Sequence, residues 1–352
     1  MKHIRHCLTA LFAITISLMV WADSGELFTS GKLSSSLINC IVQDKYGYIW
    51  VGTEYGLSKF DGYRFTNYLH NEEDTTSITD NIISNLLVDK KGNLWIGSAK
   101  GLMRYNYETN DFARLQFPDG RKPRIYSMVE SHNGDILLGT AGYGLYSVKD
   151  RNTQKGTDNL FTIRQDRQYA DRDSDVFFTH IYEDKHHYLW QSSHLSIFTR
   201  FIKKQGKVQR KDFKSPCGAP VAFIQHRPQT MLIACMYGIV YYDYRTGRIA
   251  DAGYDFGGYQ NNVTINNATF DHEGNLYIST SEHGVLMIRK GSNRVEQLEN
   301  SNSSFNLATA FVNEIIEDKD NNLWIGCYNK GLYLINQRQQ AFNSWSFSAQ
   351  NY

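Results

Sequence analysis

The chain repeats one pattern of apolar and polar positions seven times. A short apolar strand precedes a tight polar turn, and a second strand then opens with a bulky apolar residue and ends at a small one. The clearest copies of the turn and second strand are 44–53, 89–98 and 318–327. The bulky residue anchors each copy, at Trp50, Trp95, Leu137, Trp190, Leu232, Tyr277 and Trp324.

The spacing of these anchors predicts the fold. Successive anchors are 45, 42, 53, 42, 45 and 47 residues apart. A period of roughly 40 to 45 residues with four short strands per unit is typical of a β-propeller. One such unit cannot bury both of its faces, so the units must stack and close into a ring. We therefore expect an all-β chain in which residues 23–352 form a single seven-bladed β-propeller of four-stranded antiparallel blades.

Two segments compete to close the predicted ring. The last blade could take its outer strand from residues 341–347 or from residues 26–29 near the other end of the chain. An interlocking closure removes an exposed strand edge that would otherwise favour aggregation. The N-terminal strand is favoured, because Leu27 and Phe28 would otherwise have no packing partner.

The first 22 residues have the character of a secretory signal peptide. Lys2 and Arg5 precede an apolar run of 13 residues at 8–20, and Ala22 provides a small residue at the cleavage point. Such a run is too short to span a bilayer comfortably. The pattern predicts export to a bacterial periplasm with no membrane span after cleavage, and an uncleaved anchor is the alternative.

Charge and cysteine content limit the classes of partner and the cross-links that we expect. Removing residues 1–22 takes two of the 37 basic residues and none of the 36 acidic ones, which leaves 35 against 36. A nearly neutral chain argues against a nucleic-acid partner. The basic stretch 200–214 is interpreted as a solvated outer hairpin of blade 4, with a patch for an acidic glycan or an anionic lipid surface as the alternative. Four cysteines remain, each in or beside a different blade, and we expect buried free thiols rather than a Cys40–Cys327 bridge.

At several of the repeats the sequence resembles the two-component regulator propeller repeat. The segments that carry the resemblance are 49–62, 93–97 and 322–326. The resemblance implies the periplasmic sensor region of a bacterial hybrid two-component system histidine kinase that detects glycan breakdown products. Sensors of this family usually carry two propellers, a membrane helix, a histidine kinase and a DNA-binding regulator. The chain ends at Tyr352 without them, so a fragment, a truncated gene product and a stand-alone propeller all remain open.

The turns between the second and third strands of the blades gather on one rim of a propeller. Here they are short and rich in aromatic, amide, imidazole and charged groups, which can stack on a sugar or bind its hydroxyls. The predicted ligand is an oligosaccharide, and the alternative is that these are ordinary exposed turn residues. The candidate ligand-binding residues are Glu54, Tyr55, Lys100, Tyr143, His194, Tyr237, Glu282, His283, Tyr328, Asn329 and Lys330.

Two other classes of function compete with a sensor. A lyase or hydrolase would need converging acid and base groups, for which His180, His194, His283, Glu54 and Glu282 are candidates. No nucleophile elbow and no HExxH pattern is present, and the 318–322 turn lacks the downstream glutamate of a calcium loop. We therefore expect no catalysis, no cofactor and no metal. A scaffold that binds another propeller or sensor domain, including a second copy as a homodimer, is the other alternative.

Overall fold

The computed structural model describes residues 25–150, 161–169, 178–193, 195–205, 207–260, 262–300 and 305–336. These residues form 28 strands arranged in seven four-stranded antiparallel sheets. The helices among them are single 3-10 turns at Pro118–Gly120, Arg167–Tyr169, Gly257–Tyr259 and Leu307–Thr309. The prediction of a seven-bladed β-propeller is confirmed. The predicted signal peptide 1–22 lies outside the described residues.

Each blade contains four strands, labelled a to d from the centre of the ring outward. In blades 1 to 3 they are Ile38–Gln43, Ile49–Thr53, Gly56–Phe60 and Phe65–Tyr68; Ile83–Val88, Leu94–Ser98, Gly101–Asn106 and Asp111–Arg114; and Ile125–Glu130, Ile136–Thr140, Leu145–Asp150 and Phe161–Gln165. In blades 4 and 5 they are His180–Glu183, Leu189–Ser192, Ile197–Lys204 and Lys207–Lys214; and Pro220–Arg227, Thr230–Cys235, Gly238–Asp243 and Arg248–Asp251. In blades 6 and 7 they are Ile265–Phe270, Leu276–Thr280, Val285–Ile288 and Val295–Gln297; and Val312–Glu317, Leu323–Cys327, Gly331–Ile335 and Glu26–Phe28.

The ring is closed by its N-terminal strand. Glu26–Phe28 pairs antiparallel with strand c of blade 7, with Phe28 opposite Leu332. Phe28 is 3% exposed and packs within 6.2 Å of the ring of Trp324, measured between ring centroids. The favoured closure is confirmed, and the alternative segment 341–347 lies outside the described residues.

A hydrogen bond between the turn and the second strand explains why aspartate and tryptophan recur together. One oxygen of the turn aspartate accepts the indole N–H of the tryptophan six residues later, over 2.7 to 2.8 Å in all four pairs. The other oxygen accepts main-chain N–H groups of the turn itself, as Asp44 Oδ1 does from Tyr46 and Tyr48. The aspartate thus fixes the turn and satisfies a buried donor between blades. The pairs are Asp44–Trp50, Asp89–Trp95, Asp184–Trp190 and Asp318–Trp324.

The fourth position of the same turn requires a left-handed backbone. Glycine or asparagine holds it in most blades, because these residues adopt positive φ at low cost. His187 is the exception, with a φ of 60°. The corresponding residues elsewhere are Gly47, Gly92, Gly134, Gly274 and Asn321.

The described cysteines are free thiols, as expected. Their placement differs from the prediction that each lies in a different blade. Cys217 precedes strand a of blade 5 and Cys235 ends strand b of the same blade, because the tight a–b hairpin brings the two segments side by side. The hydroxyl of Ser215 lies 3.2 Å from the sulfur of Cys235 and 3.8 Å from that of Cys217.

Candidate functional site

The innermost strands surround a central cavity of about 560 Å³. This volume is within the range of small-molecule binding sites. Blade 5 contributes an apolar stretch that includes Val221 and Phe223. The remaining wall is largely polar and includes Asn39, Ser84, Asn85, Arg124, Tyr126, His180, Asn266, Asn267, Asn313 and Glu314.

A β-bulge near the start of strand a directs many of these side chains into the cavity wall. In blades 1, 2, 3, 5, 6 and 7 the pairing between strands a and b shifts by one residue. The extra residue leaves the ladder, and its side chain is directed away from the regular pleat. The bulge residues are Asn39, Ser84, Tyr126, Val221, Asn266 and Asn313, and all six line the cavity.

Four of the six bulge residues also connect adjacent blades. Their side chains donate to main-chain carbonyl groups of the next blade around the ring. The amide bonds measure 2.9, 2.8 and 2.7 Å for the pairs Asn39–Ile83, Asn266–Val312 and Asn313–Ile38, and the Ser84 hydroxyl donates to Ile125. The polar wall therefore both lines the cavity and stabilises the junctions between blades.

Glu314 is the acidic side chain of this wall. Its Oε2 accepts the main-chain N–H of Ile41 over 3.1 Å, and its Oε1 lies 3.4 Å from the amide nitrogen of Asn267. Burial disfavours the charged form and raises the pKa of Glu314 to about 7, against 4.5 for a free carboxyl group. Burial, with the neighbouring Glu314 charge as a second cause, also raises the pKa of the Cys40 thiol. The cavity thus holds a carboxyl group that changes charge near neutral pH.

Arg124 lies on the wall in blade 3. Its guanidinium is 5.4 Å from the centre of the Tyr126 ring. Its Nε is buried and has no hydrogen-bond partner among the described residues. An unpaired buried donor costs about 1–3 kcal/mol. Arg104 and Arg200, which also pack on aromatic rings, have the same unpaired Nε, so this feature does not by itself indicate a ligand.

The predicted binding residues form the rim of this ring. Because the four strands of a blade alternate in direction, the b–c turns lie at the end of the ring where strand a begins. The predicted residues described by the structure are therefore on the same face as the bulges, but none of them lines the cavity. His194 lies outside the described residues.

Several rim residues are held in place by hydrogen bonds or ion pairs. Glu54 accepts from the amide of Asn39 over 2.8 Å, which connects the rim to the cavity wall. Lys100 pairs with Asp80 over 3.0 Å, and this contact raises the pKa of the lysine. The carboxylate of Glu282 accepts the main-chain N–H of Thr264, and the ring of His283 contacts the carbonyl of Asn262 and packs beside Tyr259.

Other rim residues present aromatic surface to solvent. Tyr55 and Tyr237 are each 57% exposed, and Tyr143 is 39% exposed beneath the guanidinium of Arg121. In blade 7 the ring of Tyr328 packs on Phe311, Asn329 adopts a φ of 59°, and the main-chain N–H of Lys330 donates back to Cys327. The rim thus offers spaced aromatic rings rather than one closed pocket.

The basic stretch forms the outer hairpin of blade 4, as expected. Strands Ile197–Lys204 and Lys207–Lys214 pair along their full length. Arg200 departs from the predicted solvated role, since its guanidinium lies 5.0 Å from the ring centre of Tyr188 and 5.7 Å from that of Trp190. The guanidinium also donates to the hydroxyl of Tyr242 in blade 5 and lies 5.5 Å from its ring centre, so Arg200 packs into the junction between the two blades.

Comparison with known proteins identifies the repeats. The family model described as "Two component regulator propeller" matches residues 32–55, 77–100 and 306–329. The chain carries two-component regulator propeller repeats. The matches fall in blades 1, 2 and 7, the blades on which the sequence resemblance rests, and that resemblance is confirmed. A 47-residue stretch is also 55% identical to "Histidine kinase P4" of Formosa agariphila, over 13% of this chain and 3% of that protein.

Solved structures with the same fold include extracellular sensor domains. The extracellular domain of the hybrid two-component system BT3049 from B. thetaiotaomicron superposes with a TM-score of 0.74 at 21% identity, over 89% of this chain and 42% of that one. The extracellular domain of BT4673 from the same organism gives 0.66 at 20% identity, over 89% and 40%. The chain thus spans about two-fifths of these sensor structures.

Enzymes with this fold are also similar to the chain. Virginiamycin B lyase from Staphylococcus aureus superposes with a TM-score of 0.65 at 14% identity, over 89% of this chain and 98% of the lyase. At such identities the likeness establishes the propeller fold alone. Within the described part of the chain, no helix is both long and apolar enough to cross a membrane.

Proposed function

We propose that this chain is the ligand-sensing propeller of an exported two-component sensor, and that its ligand is an oligosaccharide. Its regulator propeller repeats and its likeness to extracellular domains of hybrid two-component systems support the sensor role. The ligand class rests on the chemistry of the cavity and rim.

The observation that carries the proposal is the polar central cavity, which is lined by amide, carboxyl and guanidinium groups. Sugar hydroxyls both donate and accept hydrogen bonds, which suits a wall that combines amide, carboxyl and guanidinium groups. The guanidinium of Arg124 would offer hydrogen-bond donors to an acceptor oxygen of the ligand. Asn85 and Tyr126 line the same space.

The rim extends this site outward. The bond between Glu54 and Asn39 couples a b–c turn to the cavity wall, and the next residue, Tyr55, is exposed. A chain of sugars entering the cavity would leave further units near such aromatic rings, which stack on apolar sugar faces. Binding would be non-catalytic and would shift the packing of this propeller against a partner domain, which passes the signal across the membrane.

A thermal-shift screen against neutral and acidic oligosaccharides tests the proposal. A ligand at about 100 times its Kd stabilises the folded ring by about 2.7 kcal/mol. We expect one glycan class to raise the Tm, and Asn85→Ala in the cavity to remove that shift. Tyr55→Ala and His283→Ala test the rim, and Tyr63→Ala is the control, since Tyr63 is 96% exposed in a c–d turn at the opposite end of blade 1.

The alternatives predict different results from the same protein. A scaffold would self-associate and show no glycan-dependent shift. A lyase or hydrolase would release product from a glycan, and His283→Ala would abolish that release. No shift with any glycan, from a ring that unfolds cooperatively, would contradict the sensor proposal.

A further inference from the structure

Three side chains with metal-binding chemistry meet at the junction of blades 3 and 4. His132 lies in the a–b turn of blade 3, Glu183 ends strand a of blade 4, and His187 lies in the a–b turn of blade 4. One ligand atom from each lies within 4.8 Å of the others. The cluster is at the end of the ring opposite the b–c rim, so it is separate from the oligosaccharide site proposed above.

Both imidazoles face the same carboxylate oxygen. Nδ1 of His132 is in direct contact with Oε1 of Glu183, and Nδ1 of His187 lies 3.3 Å from that oxygen. The two rings stack with their centroids 4.0 Å apart. The side chain of Glu183 is 8% exposed, whereas those of the histidines are 52% and 56% exposed. A buried carboxylate is thus covered by two accessible imidazoles.

Part of this arrangement is a general feature of the ring. The second residue of an a–b turn donates its main-chain N–H to a side chain that ends strand a of the next blade. The donor–acceptor pairs are Lys90–Glu130, His132–Glu183, His272–Glu317 and Lys319–Gln43. This contact explains why Glu183 is next to His132 without any ligand.

The repeat pattern does not explain why a histidine occupies position 187. The fourth turn position has positive φ, and the other blades with this turn place glycine or asparagine there. A histidine with a φ of 60° is conformationally unfavourable compared with glycine. It carries its ring onto His132 of the neighbouring blade, and so completes a set of two nitrogens and one oxygen.

The set matches the ligands of zinc. Zn²⁺ binds histidine nitrogen at about 2.0–2.1 Å and carboxylate oxygen at about 2.0–2.2 Å, so tetrahedral ligand atoms lie roughly 3.3 Å apart. The separation between His187 and Glu183 already has this value. Imidazole ligands favour zinc and related transition metals over calcium or magnesium, which prefer oxygen.

Protons compete with a metal ion for these ligands. Metal ions bind imidazole and carboxylate groups in their deprotonated forms, so the affinity of the site for metal falls as the pH is lowered.

We propose that His132, Glu183 and His187 bind a divalent transition metal of the Zn²⁺ class, with the fourth coordination position open to water. The ligands come from two blades, so the ion would hold blades 3 and 4 together at this junction. Because metal binds the folded ring, it would raise the Tm.

A second histidine–glutamate contact in the ring provides a matched control for testing the metal site. His272 and Glu317 make the same contact between blades 6 and 7, with Nδ1 of the histidine 2.6 Å from the carboxylate. The position equivalent to His187 there is Asn321, with a φ of 66°. Asparagine therefore fits this turn, and His187→Asn removes the ligand while retaining a residue suited to the backbone.

The experiment uses the whole mature chain without a histidine tag, stripped with chelator and titrated with Zn²⁺ by calorimetry and with Co²⁺ by visible absorption. We expect one ion per chain and the intense visible bands of four-coordinate cobalt. Loss of a group that only supports a ligand costs about 10–100-fold in metal affinity. His187→Asn and Glu183→Gln should therefore weaken binding by about 100-fold or more, and His272→Asn should leave it unchanged.

The outcomes separate the proposal from a simple histidine–carboxylate contact. If the folded ring binds no Zn²⁺ at ~100 μM, the metal-site proposal is overturned. The Kd would then exceed ~100 μM, which corresponds to a binding free energy weaker than about 5.5 kcal/mol. Binding that survives His187→Asn, or that disappears in His272→Asn, would place the metal elsewhere and would also overturn it. Circular dichroism in chelator confirms that each variant is folded before titration.

Discussion

Glu314 should make the stability of the propeller depend on pH in the range 4.5 to 7. Its carboxyl group lines the central cavity and receives one main-chain hydrogen bond, from Ile41. Burial raises its pKa to about 7. The perturbation that isolates this group is Glu314→Gln, which keeps the shape of the side chain and an acceptor for Ile41 while removing the titration.

The sign follows from proton linkage. Between pH 4.5 and 7 the unfolded chain loses the Glu314 proton while the folded ring keeps it, so the free energy of unfolding falls as the pH rises. Each pH unit is worth about 1.4 kcal/mol, so the difference between 4.5 and 7 amounts to about 3 kcal/mol. This value is an upper limit, because Glu314 is only partly buried and lines an open cavity, where solvent screens part of its charge. Above pH 7 the contribution is constant.

Urea unfolding of wild type and variant from pH 4.5 to 8.5 measures the effect. At pH 4.5 the two proteins should have similar free energies of unfolding, apart from a small difference if the variant loses the weak contact with Asn267. At pH 8 Glu314→Gln should be the more stable by up to about 3 kcal/mol. In a thermal scan this corresponds to about 4 °C, because a chain of this length shifts by roughly 1.5 °C per kcal/mol.

A charge-matched control separates burial from net charge. Glu282→Gln removes one carboxylate from the exposed rim, and we expect it to leave the difference between pH 4.5 and pH 8 unchanged. If Glu314→Gln destabilises the ring equally at all pH values, Glu314 is a charged hydrogen-bond partner of Ile41 rather than a neutral buried acid, and the reasoning is refuted.

Three further predictions concern ring closure, the turn aspartates and a surface histidine. Phe28→Ala should lower the free energy of unfolding by about 3–5 kcal/mol, because the closing strand loses its buried ring; a change below about 1 kcal/mol in urea unfolding would show that closure does not depend on it. Asp184→Ala should cost about 1–3 kcal/mol for each donor it leaves unpaired, including the indole of Trp190, and unchanged thermal unfolding would contradict this role. The hydrogen bond to Glu317 should raise the pKa of His272 above its ordinary value of 6.5, which an NMR titration measures. The protonated histidine then stabilises the folded ring below pH 6.5, and this stabilisation is lost as the pH rises through the folded-state pKa. Glu317→Gln should abolish the pKa shift.

The sequence predicts the blades because their determinants are local. Each turn aspartate and its tryptophan lie six residues apart, and the positive-φ residue lies between them, so one short window contains the whole hairpin. Closure was predictable for a related reason: Leu27 and Phe28 have no apolar partner nearby in the sequence. In each case a few residues close together in the chain carry the information.

The cavity wall could not be predicted in the same way. Its side chains depend on a β-bulge, which moves Asn39 and its equivalents out of the ladder and is not evident from alternation of apolar and polar residues. The metal-binding set depends on a contact across blades, between His132 and a residue 51 positions later. The histidine in the turn was the available signal, since His187 stands where other repeats have glycine or asparagine.

Departures from the repeat mark the residues that the fold itself does not require. Glu314 is paired with Gly326 of strand b, and each of the other blades has a strand-a residue at the equivalent position. These six residues have uncharged or imidazole side chains: Cys40, Asn85, Ser127, His180, Ala222 and Asn267. Six blades therefore form without a carboxyl group at this site, as five form the a–b turn without a histidine in its fourth position. A carboxyl group with a raised pKa and a left-handed histidine both reduce the stability of the folded ring, so we infer that each is retained for what it can bind. These two exceptions, one at the centre of the ring and one on the face opposite the rim, are therefore the positions at which we propose that the ring binds its ligands.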